Sequence, residues 1–282
     1  DRVDILISQD EFILTQKEKV TETIQKKVSS TFHPDVFKAF ESISKADVFW
    51  MDINNMKLGE LFEEINFSID FELSIDNVLE FALTISRIID FRSRFTATHS
   101  NTVAHLASEI GRLLGNSKEK CQKLMIAGYL HDIGKLGIDP GLIEKNGPLT
   151  DEEFSMMKLH TYYTGQILHE LNSSEWFSEI VNWAEKHHEK IDGTGYPYAV
   201  HEDKIDDGVK ILAYADIISA LTEERPYRKT MPIEQAFAII EESIASHISI
   251  EMFDEIKKHK TTLDRLLVKS REETIKEYEQ SF

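Results

Sequence analysis

The run Ile75-Asp76-Asn77-Val78-Leu79-Glu80-Phe81-Ala82-Leu83-Thr84-Ile85-Ser86-Arg87-Ile88-Ile89 decides how the chain is read. Val78, Leu79, Ala82, Leu83, Ile85, Ser86 and Ile89 recur at steps of three and four, which gathers them on one face of an α-helix. Downstream, the same period continues from about residue 95 to 114, with Val103, Leu106, Ala107, Ile110 and Leu114 inward and Gly115 as a stop. Further helices are expected near residues 119–132, 150–171, 175–188, 208–222, 233–246 and 249–259. The tail from Leu263 mixes charge with Leu266, Leu267, Ile275 and Tyr278 and reads as a terminal helix. No internal repeat of solenoid period is visible, and the expected fold class is all-α.

Upstream the patterning is weaker. Val36, Phe37, Phe40 and Ile43 recur at helical spacing behind Pro34, a favoured first-turn residue. The segment from Asp47 to Phe67 is rich in large apolar residues, and Asn66–Ser74 reads as a linker. Residues 1–70 are therefore expected to form a small helical segment of unassigned role, with residues 71–282 as the main domain and its C-terminal helical tail.

At 282 residues the chain has room for one or two domains of about 150 residues each. Hydrophobic residues make up 41% and charged residues 29%, which fits a folded domain and excludes a disordered one. The net charge of −18 sets up a field that repels polymeric nucleic acid and anionic lipid, so an anionic substrate would need local positive charge. The one cysteine excludes a disulfide framework and a cysteine zinc cluster and fits a reducing compartment. No apolar run reaches the roughly 18 residues that span a bilayer, and no signal peptide is visible, so a cytoplasmic location and no membrane partner are expected. The chain opens on Asp1 rather than Met, as a fragment or processed chain with missing upstream domains would.

Glycine and proline are scarce but clustered. Five Gly and two Pro fall between Gly128 and Pro148, and Gly193, Gly195 and Pro197 follow a histidine pair. Loops of this kind on a helical scaffold are where chemistry usually sits. The polar residues around them are out of place in a core. His131-Asp132 ends an apolar helix carrying Leu124, Met125, Ile126, Ala127 and Leu130, His160 lies one helix on, and His187-His188 end the next. Asp216 interrupts the apolar run Ile211–Leu221, and His99 sits early in the preceding helix. Taken singly, each histidine reads as an ordinary core or surface residue. Together, five His and two Asp on apolar faces need partners, and coordination to divalent metal satisfies them. Nitrogen and oxygen donors without cysteine suit a catalytic site with room for two ions. His33, His105, His169, His201, His247 and His259 keep the ordinary reading.

The string His131-Asp132-Ile133-Gly134-Lys135 resembles the signature of the HD phosphohydrolase superfamily. The string from His187-His188-Glu189 to Asp192-Gly193-Thr194-Gly195-Tyr196-Pro197 resembles its HD-GYP subfamily, as does Ala215-Asp216 through Thr222 followed by Arg225-Pro226-Tyr227-Arg228. Leu149-Thr150 and His160 also stand at family spacing, and the resemblance covers about residues 75 to 260. Residues 34–52 resemble the end of a degenerate tandem HD unit. The resemblance implies an HD-type helical bundle that hydrolyses cyclic di-GMP to linear pGpG, with further cleavage to GMP left open, by a hydroxide activated between two metals. It places His99, His131, Asp132 and Asp216 around one ion. Asp132 bridges to a second, held by His160, His187 and His188. Fe or Mn are the expected metals, with Ni, Co and Zn compatible with the donor set. Where some members carry a glutamate for a third metal, this chain has Phe95, so two metals are expected. The following loop, Tyr198 to Asp203, lacks the usual glycine.

Within that frame Lys135, Gly193, Gly195, Tyr196, Arg225 and Arg228 are the candidate substrate contacts. Lys135 stands three residues after Asp132, on nearly the same side of a helix or turn, and could bind phosphate or protonate the departing 3′ oxygen. Arg225 and Arg228 suit bidentate phosphate contacts, and Tyr196 could stack on a guanine. Alternatives are a sensor that binds without turnover, an enzyme for another cyclic dinucleotide such as a mixed guanine–adenine one, and a purely structural domain. The N-terminal segment is a candidate for homodimer formation.

Overall fold

A computed structural model describes residues 3, 6–8, 13–29, 31–45, 49–50, 74–90, 99–171, 174–223 and 230–281. The chain divides into two compact units, Asp1–Phe71 and Glu72–Phe282. In the first, α1 (Ile13–Gln25) and α2 (Pro34–Ile43) are described. Pro34 opens α2, and the His33 ring caps it by accepting from the Asp35 amide. Val20, Ile24, Phe37 and Trp50 form a small core, and the Trp50 indole donates to the Ser44 carbonyl at 2.7 Å. Only part of the expected apolar stripe on α2 is core, because Val36 and Ile43 are 61% and 54% exposed. Residues 51–73, including most of the expected apolar segment and linker, lie outside the described residues.

The second unit is all-α, and its described residues contain no strand. Its helices are α3 (Ile75–Asp90), α4 (His99–Leu113), α5 (Lys118–Leu130), α6 (Pro140–Ile143) and α7 (Asp151–Glu170). They continue with α8 (Glu175–Lys186), α9 (Asp207–Thr222), α10 (Ile233–Ser243), α11 (Ile250–Lys258) and α12 (Lys260–Ser281). A short 3₁₀ turn, Ile133–Gly137, follows α5. The stops and starts follow local chemistry. Gly115, at φ +82°, closes the turn after α4, and Ser117 caps α5 by accepting from the Lys120 amide. Thr150 and Glu153 form a reciprocal capping box on α7, and Asp206 caps α9 through the Val209 amide.

Helix α9 is apolar around most of its girth and is the axis of the unit. Val209, Ile211, Leu212, Tyr214, Ala215 and Ile218 are fully buried. A helix buried around most of its girth needs little amphipathic character. It packs on α4, α5, α8 and α10, while α7 lies against α8 and the 3₁₀ turn. This brings the C-terminal ends of α5 and α8, the middle of α7 and the third turn of α9 to one place.

The pair α4–α5 makes the broadest helix contact in the unit. Its closest approach is at Gly128, where an added Cβ would lie 2.5 Å from the Ala104 Cα and 2.7 Å from its nitrogen. Those atoms are backbone and cannot yield without separating the helices. Gly128→Ala is therefore expected to lower stability by about 1–3 kcal/mol, the cost of an overpacked core. A urea titration followed by circular dichroism measures this, and an unchanged midpoint would show that the helices can part without cost.

Candidate metal centre

Each site residue occupies a position that its helix makes unavoidable. His131 is the C-cap of α5 and Asp132 the residue that opens the 3₁₀ turn. His187 is the C-cap of α8, with His188 next to it. His160 lies within α7, His99 begins α4, and Asp216 falls on the inner face of α9. The two elements carrying His131 and His160 are tied by Thr164. Its hydroxyl donates to the His131 carbonyl at 2.9 Å and accepts from the Gly134 amide at 3.0 Å.

Seven side chains converge as three overlapping ligand groups. His99, His131 and Asp216 form one, His160, His187 and His188 a second, and His131, Asp132 and His187 a third. Within each group the ligand atoms lie within 4.8 Å of one another. Asp132 stands between the first two. Its Oδ2 is 3.2 Å from His131 Nε2 and 3.8 Å from His99 Nε2, and its Oδ1 is 3.5 Å from His160 Nε2. Asp216 Oδ1 is 3.2 Å from His99 Nε2, and its Oδ2 is 4.0 Å from His188 Nδ1. Four of the histidines and both aspartates are buried, with His188 partly exposed at the rim.

The tautomers point to metal. His131, His160 and His187 each direct Nδ1 at a carbonyl three residues back, those of Gly128, Met157 and Ala184, at 2.7, 2.6 and 2.7 Å. A carbonyl can only accept, so Nδ1 carries the proton and Nε2 presents a lone pair. Those three Nε2 atoms are the buried side-chain atoms without a hydrogen-bond partner among the described residues. An orphaned buried acceptor is costly, and three aimed at two carboxylates fit a cluster of divalent cations.

The charges agree. Burial holds His160 and His187 below the usual imidazole range and pushes His188 down to about 3, keeping all three neutral. Burial alone would raise both aspartates. For Asp132 the facing His131 imidazole and the Lys135 ammonium outweigh it, and for Asp216 the facing His99 imidazole does, so both carboxyls lie well below their usual range and stay ionised.

Lys135 reaches back from the 3₁₀ turn to donate to Asp132 Oδ2. The ring of Tyr196 lies 4.9 Å from that of His188 and 6.3 Å from that of Phe154, centroid to centroid. Lys158 covers both aromatic rings, 4.7 Å from Phe154 and 5.5 Å from Tyr196. The two loop glycines serve the loop's own packing. Gly193 adopts φ +76° beneath the His201 ring, and a Cβ on Gly195 would lie 2.4 Å from the backbone of Glu189. Arg225, Arg228 and Phe95 lie outside the described residues. Two of the histidines read as ordinary pair with carboxylates outside the cluster, His169 with Glu185 at 2.9 Å and His247 with Asp192 at 2.9 Å.

Several supporting residues escaped the sequence reading. Glu223 and Thr164 bond directly to site residues, and Phe154 and Lys158 flank Tyr196. A signal existed for Glu223, since Asp216, Ser219 and Glu223 are spaced by three and four and share one helical face.

The profile of the HD domain family matches residues 84–251. The chain belongs to the HD domain family. Among curated proteins it is 42% identical over 184 residues to a 3′3′-cGAMP-specific phosphodiesterase 3 of Vibrio cholerae, covering 65% of this chain and 39% of that one. It is 34% identical to a cyclic di-GMP phosphodiesterase of Thermotoga maritima, covering 67% and 52%. It is also 28% identical to a 3′3′-cGAMP-specific phosphodiesterase 1 of Vibrio cholerae, covering 92% of this chain and 62% of that one. The chain thus spans between about two fifths and three fifths of these relatives. A solved HDG"Y"P protein of Bdellovibrio bacteriovorus shares the HD-type fold, with a TM-score of 0.50 at 16% identity over 69% of this chain and 64% of its own. No helix among the described residues is long and apolar enough to cross a membrane.

The metal-stripped centre makes a pH dependence. A histidine held below its free value of about 6.5 takes up its proton more readily when unfolded, so acid favours unfolding. For His188 that contribution is lost as pH falls from about 6.5 toward about 3, and His160 and His187 act in the same direction. The two depressed aspartates add their loss below about pH 4. Urea midpoints of the chelator-treated protein at constant ionic strength are expected to fall steadily over this range. A midpoint that rises on acidification from pH 6.5 to pH 4 would contradict the neutral-imidazole cluster.

Proposed function

We propose that the chain is a metal-dependent phosphodiesterase of cyclic dinucleotides. The observation that carries this reading is the convergence of three unpartnered Nε2 atoms on two buried carboxylates, in a chain whose relatives are phosphodiesterases. His99, His131, Asp132 and Asp216 would hold one divalent ion. His160, His187 and His188 would hold the other, with Asp132 shared between them. The donor set suits Fe or Mn, with Ni, Co and Zn compatible. When bound, such ions act as Lewis acids that activate water and neutralise phosphoryl charge.

The protein's own groups do the rest. Lys135, held against Asp132 at the edge of the centre, offers an ammonium to a non-bridging phosphate oxygen and a proton to the departing 3′ oxygen. Tyr196, bracketed by Phe154 and Lys158, offers a face on which a base can stack. Burial of Asp132 and Asp216 keeps water from screening the attraction of the centre for a dianionic substrate. Arg225 and Arg228 follow α9 in sequence and are proposed as phosphate contacts. Among the cyclic dinucleotides, the higher identity to a 3′3′-cGAMP-specific relative favours the mixed guanine–adenine substrate, with cyclic di-GMP as the second reading.

A product assay tests both levels. Protein loaded with Mn²⁺ or Fe²⁺ is expected to linearise 3′3′-cGAMP faster than cyclic di-GMP, with Asp132→Ala at background on both. Faster cleavage of cyclic di-GMP reverses the substrate preference. Binding without product assigns the chain to the sensors, and full activity in Asp132→Ala rejects the centre.

A further inference from the structure

We infer that Glu223, acting with Ser219, is the positioning residue for His99 and sets the affinity of the ion that His99 would hold. The inference rests on the metal centre proposed above and deepens it. His99 is the exception among the inward histidines. His131, His160 and His187 are each oriented by a peptide carbonyl of their own helix. His99 is the first residue of α4. Its Nδ1 instead meets two side chains from the end of α9, Ser219 Oγ at 3.1 Å and Glu223 Oε2 at 3.1 Å.

The proton can be placed. The Ser219 hydroxyl donates to Glu223 Oε1 at 2.9 Å, so its oxygen is left as an acceptor toward His99. An ionised carboxylate only accepts. Nδ1 is therefore the donor, and Nε2 turns its lone pair to Asp216 and Asp132, 3.2 and 3.8 Å away. Glu223 is 3% exposed and Ser219 fully buried, so this carboxylate is not a solvated surface charge. A buried anion behind an imidazole raises its basicity and fixes its plane, and loss of such partners weakens metal binding about 10- to 100-fold.

The same helix face carries Asp216 itself, three residues before Ser219 and seven before Glu223. One element thus supplies both a ligand of the ion and the support of a second ligand from α4. The ion bound by His99, His131 and Asp216 is the one whose affinity should respond, while that bound by His160, His187 and His188 should not.

The test is a Mn²⁺ titration of chelator-treated protein, read by calorimetry and elemental analysis, with the visible spectrum of the Co²⁺-loaded protein as a second readout. Wild type is expected to bind two ions. Glu223→Ala should bind one as wild type does and the other about 10- to 100-fold more weakly, with a changed Co²⁺ spectrum. Glu223→Gln, which keeps an acceptor but not the charge, should fall between. Ser219→Asp added to Glu223→Ala should restore affinity, because Ser219 already stands at hydrogen-bond distance from Nδ1. Unchanged affinities and spectrum in Glu223→Ala overturn the inference. Equal loss of both ions without rescue by Ser219→Asp also overturns it, since that is the mark of a general structural role. A wild type that binds no ion sinks the underlying metal reading instead.

Discussion

Asp132 is the group on which the architecture of the larger unit turns. It is 4% exposed and lies among the imidazoles of His99, His131 and His160, with the Lys135 ammonium on its outer edge. A carboxylate buried without compensation would protonate or unfold the chain. Compensation requires that residues from α4, α5, the 3₁₀ turn and α7 arrive within a few ångströms of one another. The largely buried helix α9 makes this arrival possible, because a shaft of Val, Ile, Leu and Ala lets the surrounding helices pack against it closely. Packing and electrostatics are therefore one problem here. Helices that slid by a turn would carry the ligands apart and leave the charges unpaired.

The arrangement also uses helix ends. His131 and His187 sit at C-caps, where backbone carbonyls of the last turn lack partners within the helix. Each imidazole fills one such need with Nδ1–H and thereby turns Nε2 toward the cluster. A single bond satisfies the helix terminus and sets the tautomer. Two short helices ending at one point consequently yield two oriented ligands without any added scaffold. His160 obtains the same bond inside α7, and His99 alone borrows from another helix.

The longer helices of the second unit were legible where the apolar period was sustained, with Gly115 marking the end of α4. The short elements between residues 133 and 143 were not separable, because five residues of 3₁₀ turn and four of α-helix hold too little period to read. The ligands stood out because polar residues interrupted apolar faces. Their supports did not, since Glu223 meets His99 across 124 residues and Thr164 meets His131 across 33. Such contacts belong to the packing; the spacing of Asp216, Ser219 and Glu223 puts the carboxylate on the ligand's helical face but does not name its partner. On α2 the apolar spacing marks a helix, yet Val36 and Ile43 on it are exposed. Ten residues of amphipathic helix fix a face without fixing what covers it.

The acidity of the chain follows a different logic from its centre. A net charge of −18 works against any polyanion at long range, but its reach in physiological salt is only about 8 Å. A cyclic dinucleotide carries two charges and is small enough to pass through that layer as a single encounter. In the proposed reading it would there meet Lys135, beside Asp132, and Lys158, over the Tyr196 ring. A nucleic-acid strand would keep most of its phosphates outside, against the acidic surface. Under the proposed function, the net charge would then weigh more heavily against a polymer than against a small dianion of the same monomers.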